Sequence, residues 1–525
     1  MISSILAQVK ITQSDLDTLG KVEWGALWPA WLAGGGILIV LLADMVLPKT
    51  QRWLISWVAF VLLALATASS FWMDMPRNGA NSTVFQNMIA ADEMSRFLAV
   101  IVLGAAALVV LASPDYLSRI GIEATGEYYA LIMAAATGMW LLTVAAHFMV
   151  FFVALELFSL ALYILCGFLP RSVRSHESGF KYFLLSSFAS AFLLYGIALI
   201  YGATGSTAYS EVQKYLANNH IAGNNGILVL LGVAMVTVGF AFKISAVPFH
   251  MWTPDVYEGA PTPVTALMAV GTKTAIVAAF LRVYIGAFGP IGDQWKPILF
   301  TLAIVTMIGG NLLAVSQHNI KRLLSYSAVA HAGYLMIGLV ADNTLSRSGL
   351  LFYLLGYTVM TLGAFAVVMA VEGPQGEGLQ IADFAGLGKR HPWLAAVMTI
   401  SLLSLAGIPP TVGFFGKAFI FGAAIQSGGW NIALAIVGIV TSIIAAFYYF
   451  RIIIQMYTAQ PTTETAIAAA AAASTRAGRP SPSLSFVLVV AVVATLGLGF
   501  LANFALAWAN QAAAVIGQIG ANRGS

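Results

Sequence analysis

Charge is what this sequence has least of. Only 9% of its 525 residues are Asp, Glu, Lys or Arg, against about 25% in an ordinary soluble domain, so the chain has too few polar groups to cover a folded surface in water. Cysteine occurs once, at Cys166, which excludes an internal disulfide framework and a cysteine-held iron–sulfur cluster within this chain. There is no GxxxxGK phosphate loop, no strand–GxGxxG–helix unit and no cluster of metal ligands, leaving nucleotide binding, ATP hydrolysis and resident redox chemistry without support. The net charge of +4 comes from Lys and Arg residues scattered among short gaps, so no basic surface for nucleic acid is expected. Residues 1–23 carry Lys10, Asp15, Asp17, Lys21 and Glu23 without a continuous apolar core. They read as an exposed tail rather than a cleavable signal peptide.

What the chain does have is apolar runs. Hydrophobic residues make up 60% of it, in stretches of about 20 that suit the bilayer core. Counting stretches bounded by charges, Pro or Gly predicts an all-α, polytopic membrane protein of about fourteen helices. The least regular are the seventh, 227–247, which runs into Pro248, and the twelfth, 392–424, which contains Gly407, Pro409 and Pro410. With fourteen spans both termini share one side. Thirteen Lys and Arg residues, Lys321, Arg322, Lys389 and Arg390 among them, fall at one set of loop ends, and nine, including Arg282 and Lys296, at the other. The positive-inside rule then places both termini outside the cytoplasm. The one low-complexity segment, an Ala-rich run ending in Ser, Arg, Gly and Pro between the last two helices, reads as a cytoplasmic linker.

Four charges lie where charge is expensive. Glu156 sits in FFVALELFSLALYIL, Lys243 in GFAFKISAVPFHMW, Lys273 in ALMAVGTKTAIVAAF and Lys417 in PPTVGFFGKAFIF. Each costs about 2.5–3.5 kcal/mol at the bilayer centre, and such residues mark pathways. One of them could snorkel or serve packing; four together point to proton movement. A buried ammonium loses its proton more readily as it is desolvated and holds it more firmly beside a carboxylate, so a lysine can be switched by a moving partner. Glu156 is the natural partner for Lys243. Lys243 and Lys273 stand thirty residues apart on consecutive helices, a spacing that can return the chain to similar depth and make them neighbours.

Proline breaks support the same reading, because lipid cannot satisfy irregular backbone. Lys243 precedes Pro248 by five residues, and Lys417 follows Pro409 and Pro410 by eight and seven. A lysine beside a break thus appears once in each half, 174 residues apart, as in transporters built from repeats. His331 and His250 are candidate relays, since a neutral imidazole accepts on one nitrogen and donates from the other; each can equally be a hydrogen-bonded packing residue. The other five histidines are assigned no role.

The stretch FKISAVPFHMWTPDVYEGAPTPVTALMAVGTKTA, Phe242 to Ala275, resembles the signature region of the proton-translocating, antiporter-like membrane subunits of NADH-quinone oxidoreductase (complex I). NIKRLLSYSAVAHAGYLMIG, Asn319 to Gly338, and SLLSLAGIPPTVGFFGKAFIF, Ser401 to Phe421, are similar to the family's other hallmark segments. TPDVYEGAPTPV and an end shortly after the fourteenth helix favour the subunit N branch. The resemblance implies two inverted five-helix repeats, here about 128–288 and 297–456, each with a discontinuous helix. They would be flanked by a tail over 1–23, N-terminal transmembrane helices over 24–127, a linker over 457–483 and a last transmembrane helix and tail over 484–525. It also implies a Glu156–Lys243 pair, a path continuing through Lys273 to Lys417, and His331 as a polar position between two half-channels.

By the same resemblance the chain holds no cofactor. The resemblance implies a translocase subunit beside other membrane subunits of a complex that uses NADH, FMN, iron–sulfur clusters and quinone elsewhere, in the inner (plasma) membrane of a bacterium. Pumping subunits of multi-subunit Na⁺/H⁺ antiporters and membrane-bound hydrogenases share the fold and remain the alternative. So do, from other classes, a scaffold whose charges only hold helices together and an independent substrate transporter.

Overall fold

In a bilayer each backbone N–H and C=O must find its partner within the segment, so apolar runs of this length form helices. The computed structural model describes residues 24–73, 75, 83–123, 125–219, 223–374, 377–459 and 480–521. The tail expected over 1–23 and most of the expected linker lie outside them. In chain order the main helices are α1 Trp28–Val46, α2 Trp53–Ser69, α3 Glu93–Arg119, α4 Gly126–Val144, α5 Phe148–Cys166, α6 Val173–Thr204, α7 Tyr209–Asn218, α8 Gly223–Ile244 and α9 Trp252–Gly259. Then come α10 Thr262–Ala287, α11 Gly292–Val315, α12 Ile320–Ala341, α13 Thr344–Val371, α14 Pro392–Ala406, α15 Val412–Ser427, α16 Asn431–Thr458, α17 Pro482–Phe500 and α18 Ala502–Ala521. Among the described residues thirteen helical spans are long and apolar enough to cross a membrane, and the shorter α14 and α15 together supply one more crossing.

Polar side chains start these helices where hydropathy predicted gaps. Asp92 accepts from the Ser95 amide at 2.8 Å, Asn319 from those of Lys321 and Arg322, and Asn343 forms a reciprocal capping box with Ser346. Such caps satisfy amide donors that have no partner inside the helix. A two-stranded hairpin, β1 Thr83–Val84 with β2 Ile89–Ala90, occupies the gap before α3 and bridges to Ala145.

Two sets of five crossings follow α3: α4, α5, α6, α8 with α9, and α10; then α11, α12, α13, α14 with α15, and α16. The fourth crossing of each set is the broken one. Because five is odd, the second set starts from the opposite membrane face, which gives inverted topology. The two breaks are closed alike. Ser245 and Gly407 stand in left-handed backbone, at φ 69° and 88°. Behind them Ala246 and Ile408 donate to the carbonyls of Ala241 and Leu403, while Ser245 and Gly407 donate to those of Phe242 and Ser404. This is the paired closure of a Schellman motif. Ser245 and Pro248 therefore match Gly407 and Pro410 at a constant offset of 162 residues.

The stretch expected as a last transmembrane helix and tail, 484–525, contains two helices, α17 and α18, which meet at Leu501. The second packs on α3, where Phe97 and Trp508 rings lie 4.5 Å apart. At the centre of the chain α10 is buried along its whole length and contains two π-helical stretches, Met268–Thr272 and Leu281–Ala287. Such widened turns recur at functional positions.

In the second break the half-helices approach so closely that a Cβ on Gly413 would overlap the Ser404 carbonyl oxygen. The Gly413 amide meanwhile donates to Ser404 Oγ at 3.1 Å. Gly413→Ala is expected to cost about 1–3 kcal/mol through overpacking, seen as a lower melting temperature of the purified protein. An unchanged melting temperature would show that the half-helices separate freely.

Candidate proton pathway

Lys243 is the last residue but one of α8, and its side chain is enclosed. Its Nζ donates to Ser159 Oγ on α5 at 2.7 Å and to Ser186 Oγ on α6 at 2.6 Å. The rings of Phe158, Tyr182 and Tyr163 surround it at 5.5, 5.6 and 5.9 Å. An ammonium has three donors; two are spent on hydroxyls, and the aromatic faces offer the charge a weaker attraction. Glu156, one turn before Ser159, accepts from Ser190 Oγ at 2.6 Å. Among the described residues no ion pair joins Glu156 to Lys243. The two groups expected to pair are therefore not in contact, and serines of α5 and α6 stand at both ends of the gap between them.

Lys273 and Lys417 share an arrangement that sequence did not reveal. Lys273 Nζ donates to the Ile244 carbonyl at 3.0 Å, and Lys417 Nζ donates to those of Leu405 and Ala406 at 3.0 Å each. Ile244 and Ala406 are the last residues of α8 and α14, matched by the same offset of 162. Each lysine therefore sits at the C-terminal, partially negative end of a broken half-helix, where unpaired carbonyls and the helix dipole favour a cation. The expectation that Lys243 and Lys417 are repeat counterparts fails. The positions matching them are Leu405 and Asp255, and the counterpart of Lys417 in role is Lys273. Of the expected nearness of Lys243 and Lys273, the contact present is between the Lys273 ammonium and the backbone of the residue next to Lys243, while the Lys243 ammonium is turned to the serines of α5 and α6.

Between the halves lies a cluster of hydroxyls around His331, which is buried. Its Nδ1 is hydrogen-bonded to Tyr353 on α13, its Nε2 lies 3.4 Å from Tyr449 OH on α16, and that phenol meets Ser327. Lys417 Nζ stands 4.9 Å over the Tyr334 ring, and Asn311 links Tyr334 to Tyr448 at 3.2 and 3.1 Å. Both imidazole nitrogens thus face hydroxyl groups, as a proton relay requires. His250 is not in this cluster. It lies in the turn between α8 and α9, half-buried, 6.3 Å from the Tyr326 ring and with Nδ1 unpaired. Pro248, Pro409 and Pro410 lie in the two breaks, whose freed backbone is held by protein: Thr306 Oγ1 accepts from the Val247 amide at 3.0 Å.

Other buried charges escaped the sequence reading. Arg282, counted as a loop charge, lies inside the second π stretch and grips Asp92 with two bonds of 2.9 and 3.0 Å, Ser95 Oγ at 2.9 Å and the Thr143 carbonyl at 2.6 Å. Lys321, also counted as a loop charge, is buried and donates to the Ala260 carbonyl at 2.6 Å. Each side of the loop count loses one charge, so the difference between the sides is unchanged. Glu372, buried at the end of α13, accepts from Tyr116 and Thr262. The available signal was that these residues abut unbroken apolar runs, as Arg282 does in FLRVYIGAFG.

The family described as NADH:quinone oxidoreductase/Mrp antiporter, transmembrane, matches residues 145–445, which contain both broken crossings. A curated relative from Roseiflexus castenholzii, named NADH-quinone oxidoreductase subunit N 2, is 39% identical over 498 residues, spanning 93% of this chain and 96% of its own. The chain belongs to the NADH-quinone oxidoreductase subunit N family. A chain from the solved respiratory complex I of Thermus thermophilus shares 32% identity, covers 91% of this chain and 98% of its own, and superposes with a TM-score of 0.73. A chain of the Mrp complex from Dietzia shares the fold at 22% identity, covering 94% of this chain and 99% of its own, with a TM-score of 0.78.

Proposed function

We propose that this chain is the proton-translocating subunit N of a bacterial NADH-quinone oxidoreductase. It moves protons through Glu156, Lys243, Lys273, His331 and Lys417 while electron transfer proceeds in other subunits. The observation that carries this reading is the succession of enclosed ammonium groups, one on serine hydroxyls and two on half-helix C-termini, with an imidazole among phenols between the halves. Each group can give up and regain a proton without leaving its site. Moving one charge against 100 mV costs about 2.3 kcal/mol, and no nucleotide or metal motif in the sequence supplies it. The drive comes from the assembly, whose NADH, FMN, iron–sulfur clusters and quinone lie in or near other subunits. Neighbouring membrane subunits pack on the exposed apolar faces, with both termini outside the cytoplasm of the inner membrane.

The test is the assembled complex in vesicles carrying Lys273→Ala. Proton uptake and quinone reduction are expected to fall together by at least about tenfold, given that a positioned proton-transfer group contributes roughly a hundredfold or more. Reduction of an artificial acceptor by the NADH-oxidising arm stays at its normal rate. Undiminished pumping in the assembled variant would reject the pathway, and Na⁺ transport without NADH would favour the antiporter reading instead.

A further inference from the structure

Glu156 and Lys243 stand without direct contact, and the directions of the hydrogen bonds between them distinguish one route from another. Ser159 Oγ accepts from Lys243 at 2.7 Å and donates its own hydrogen to the Leu155 carbonyl at 2.5 Å. A carbonyl has no proton to pass on, so this branch ends there. Ser186 Oγ is different. It accepts from Lys243 at 2.6 Å and from Tyr163 OH at 2.7 Å, which fills both lone pairs and leaves its hydrogen to point onward. Four residues along the same face of α6, Ser190 donates to Glu156 Oε1 at 2.6 Å. Both serines are buried. Their Cβ atoms are one turn apart, about 5–6 Å, a gap that one water with two hydrogen bonds spans.

We propose that Ser186 and Ser190 of α6, joined by one water, carry the proton between Lys243 and Glu156, while Ser159 only holds the ammonium in place. The inference rests on the proposed proton pathway and specifies its first transfer. An N–H bond of Lys243 breaks as an O–H bond forms on Ser186. The original Ser186 proton passes to the water, a water proton passes to Ser190, and the original Ser190 proton passes to the Glu156 carboxylate. The transfer ends with a neutral amine and a carboxylic acid, and both hydroxyls and the water are regenerated. Reversal runs the same bonds backwards. The phenol of Tyr163 is a positioning group, since its bond to Ser186 fixes where that hydroxyl points.

The experiment uses the assembled complex in vesicles, comparing Ser186→Ala, Ser190→Ala, Ser159→Ala and Ser186→Thr, with rates in H₂O and D₂O and assembly checked on a native gel. Ser186→Ala and Ser190→Ala are each expected to lower coupled proton uptake by at least about tenfold and to raise the solvent isotope effect, because a relay group contributes roughly a hundredfold or more at its own step. Ser159→Ala loses only a few-fold and keeps the normal isotope effect. Ser186→Thr, which restores a hydroxyl, recovers most of the rate. Equal losses in all three alanine variants with unchanged isotope effects would reduce the serines to mere solvation of the ammonium and overturn the relay. So would normal pumping in Ser186→Ala. If Lys243→Ala in the same vesicles also pumps normally, the pathway itself falls; if it does not pump while the serine variants do, only the relay falls.

Discussion

Lys243→Ala is expected to leave the complex assembled and to abolish coupled proton transfer, with quinone reduction falling alongside it by about a hundredfold. Alanine removes the one group that faces Ser159, Ser186 and the aromatic rings together. No other described side chain has its nitrogen there. Stability should suffer less than function, because deleting a buried ammonium also deletes its desolvation cost, and the serines left behind can bond to backbone or water. Native-gel assembly measured beside vesicle acidification separates the two effects. An assembled variant that pumps at the normal rate would make the lysine a packing residue.

Arg282→Ala should do the reverse, with stability failing first. Both partners of the Asp92–Arg282 pair are buried, at 3% and 5% side-chain exposure, and the guanidinium also holds Ser95 and the Thr143 carbonyl. Removing it leaves a carboxylate in a low-dielectric site, which costs about 3–5 kcal/mol. The level of assembled complex should drop steeply. Asp92→Asn combined with Arg282→Gln leaves no bare charge and should recover a large part of that loss, a non-additivity typical of residues in one network. Equal levels of the single variants and the parent would show that the pair is dispensable.

The residues that were legible in the sequence are those whose signal is local. Proline at 248, 409 and 410 interrupts helical backbone wherever it occurs, so both broken crossings could be placed from sequence. Glu156, Lys243, Lys273 and Lys417 stand deep within apolar runs. Charges near the ends of runs gave no such contrast, and Arg282, Lys321 and Glu372 were lost to the loops or passed over for that reason. Contacts between helices were harder still. Each residue turns a helix by about 100°, so whether Glu156 meets Lys243 or a serine depends on rotation and packing that periodicity in an apolar run does not set. The repeat was misaligned because lysines served as its markers. The backbone turns at Ser245 and Gly407 are the geometry the two breaks share, and the charges stand around them differently in each half.

The complete enclosure of α10 bears on how the protein is made. With Lys273 and Arg282 both on this helix, lateral release into lipid alone would leave two cations without partners, the mid-span Lys273 at a cost of about 2.5–3.5 kcal/mol. Those partners are the Ile244 carbonyl and Asp92, both contributed by chain synthesised earlier. Both polar partners of α10 thus exist in the chain before α10 itself is made, so it need not face lipid with its cations bare. Chain order therefore does part of the work of membrane insertion.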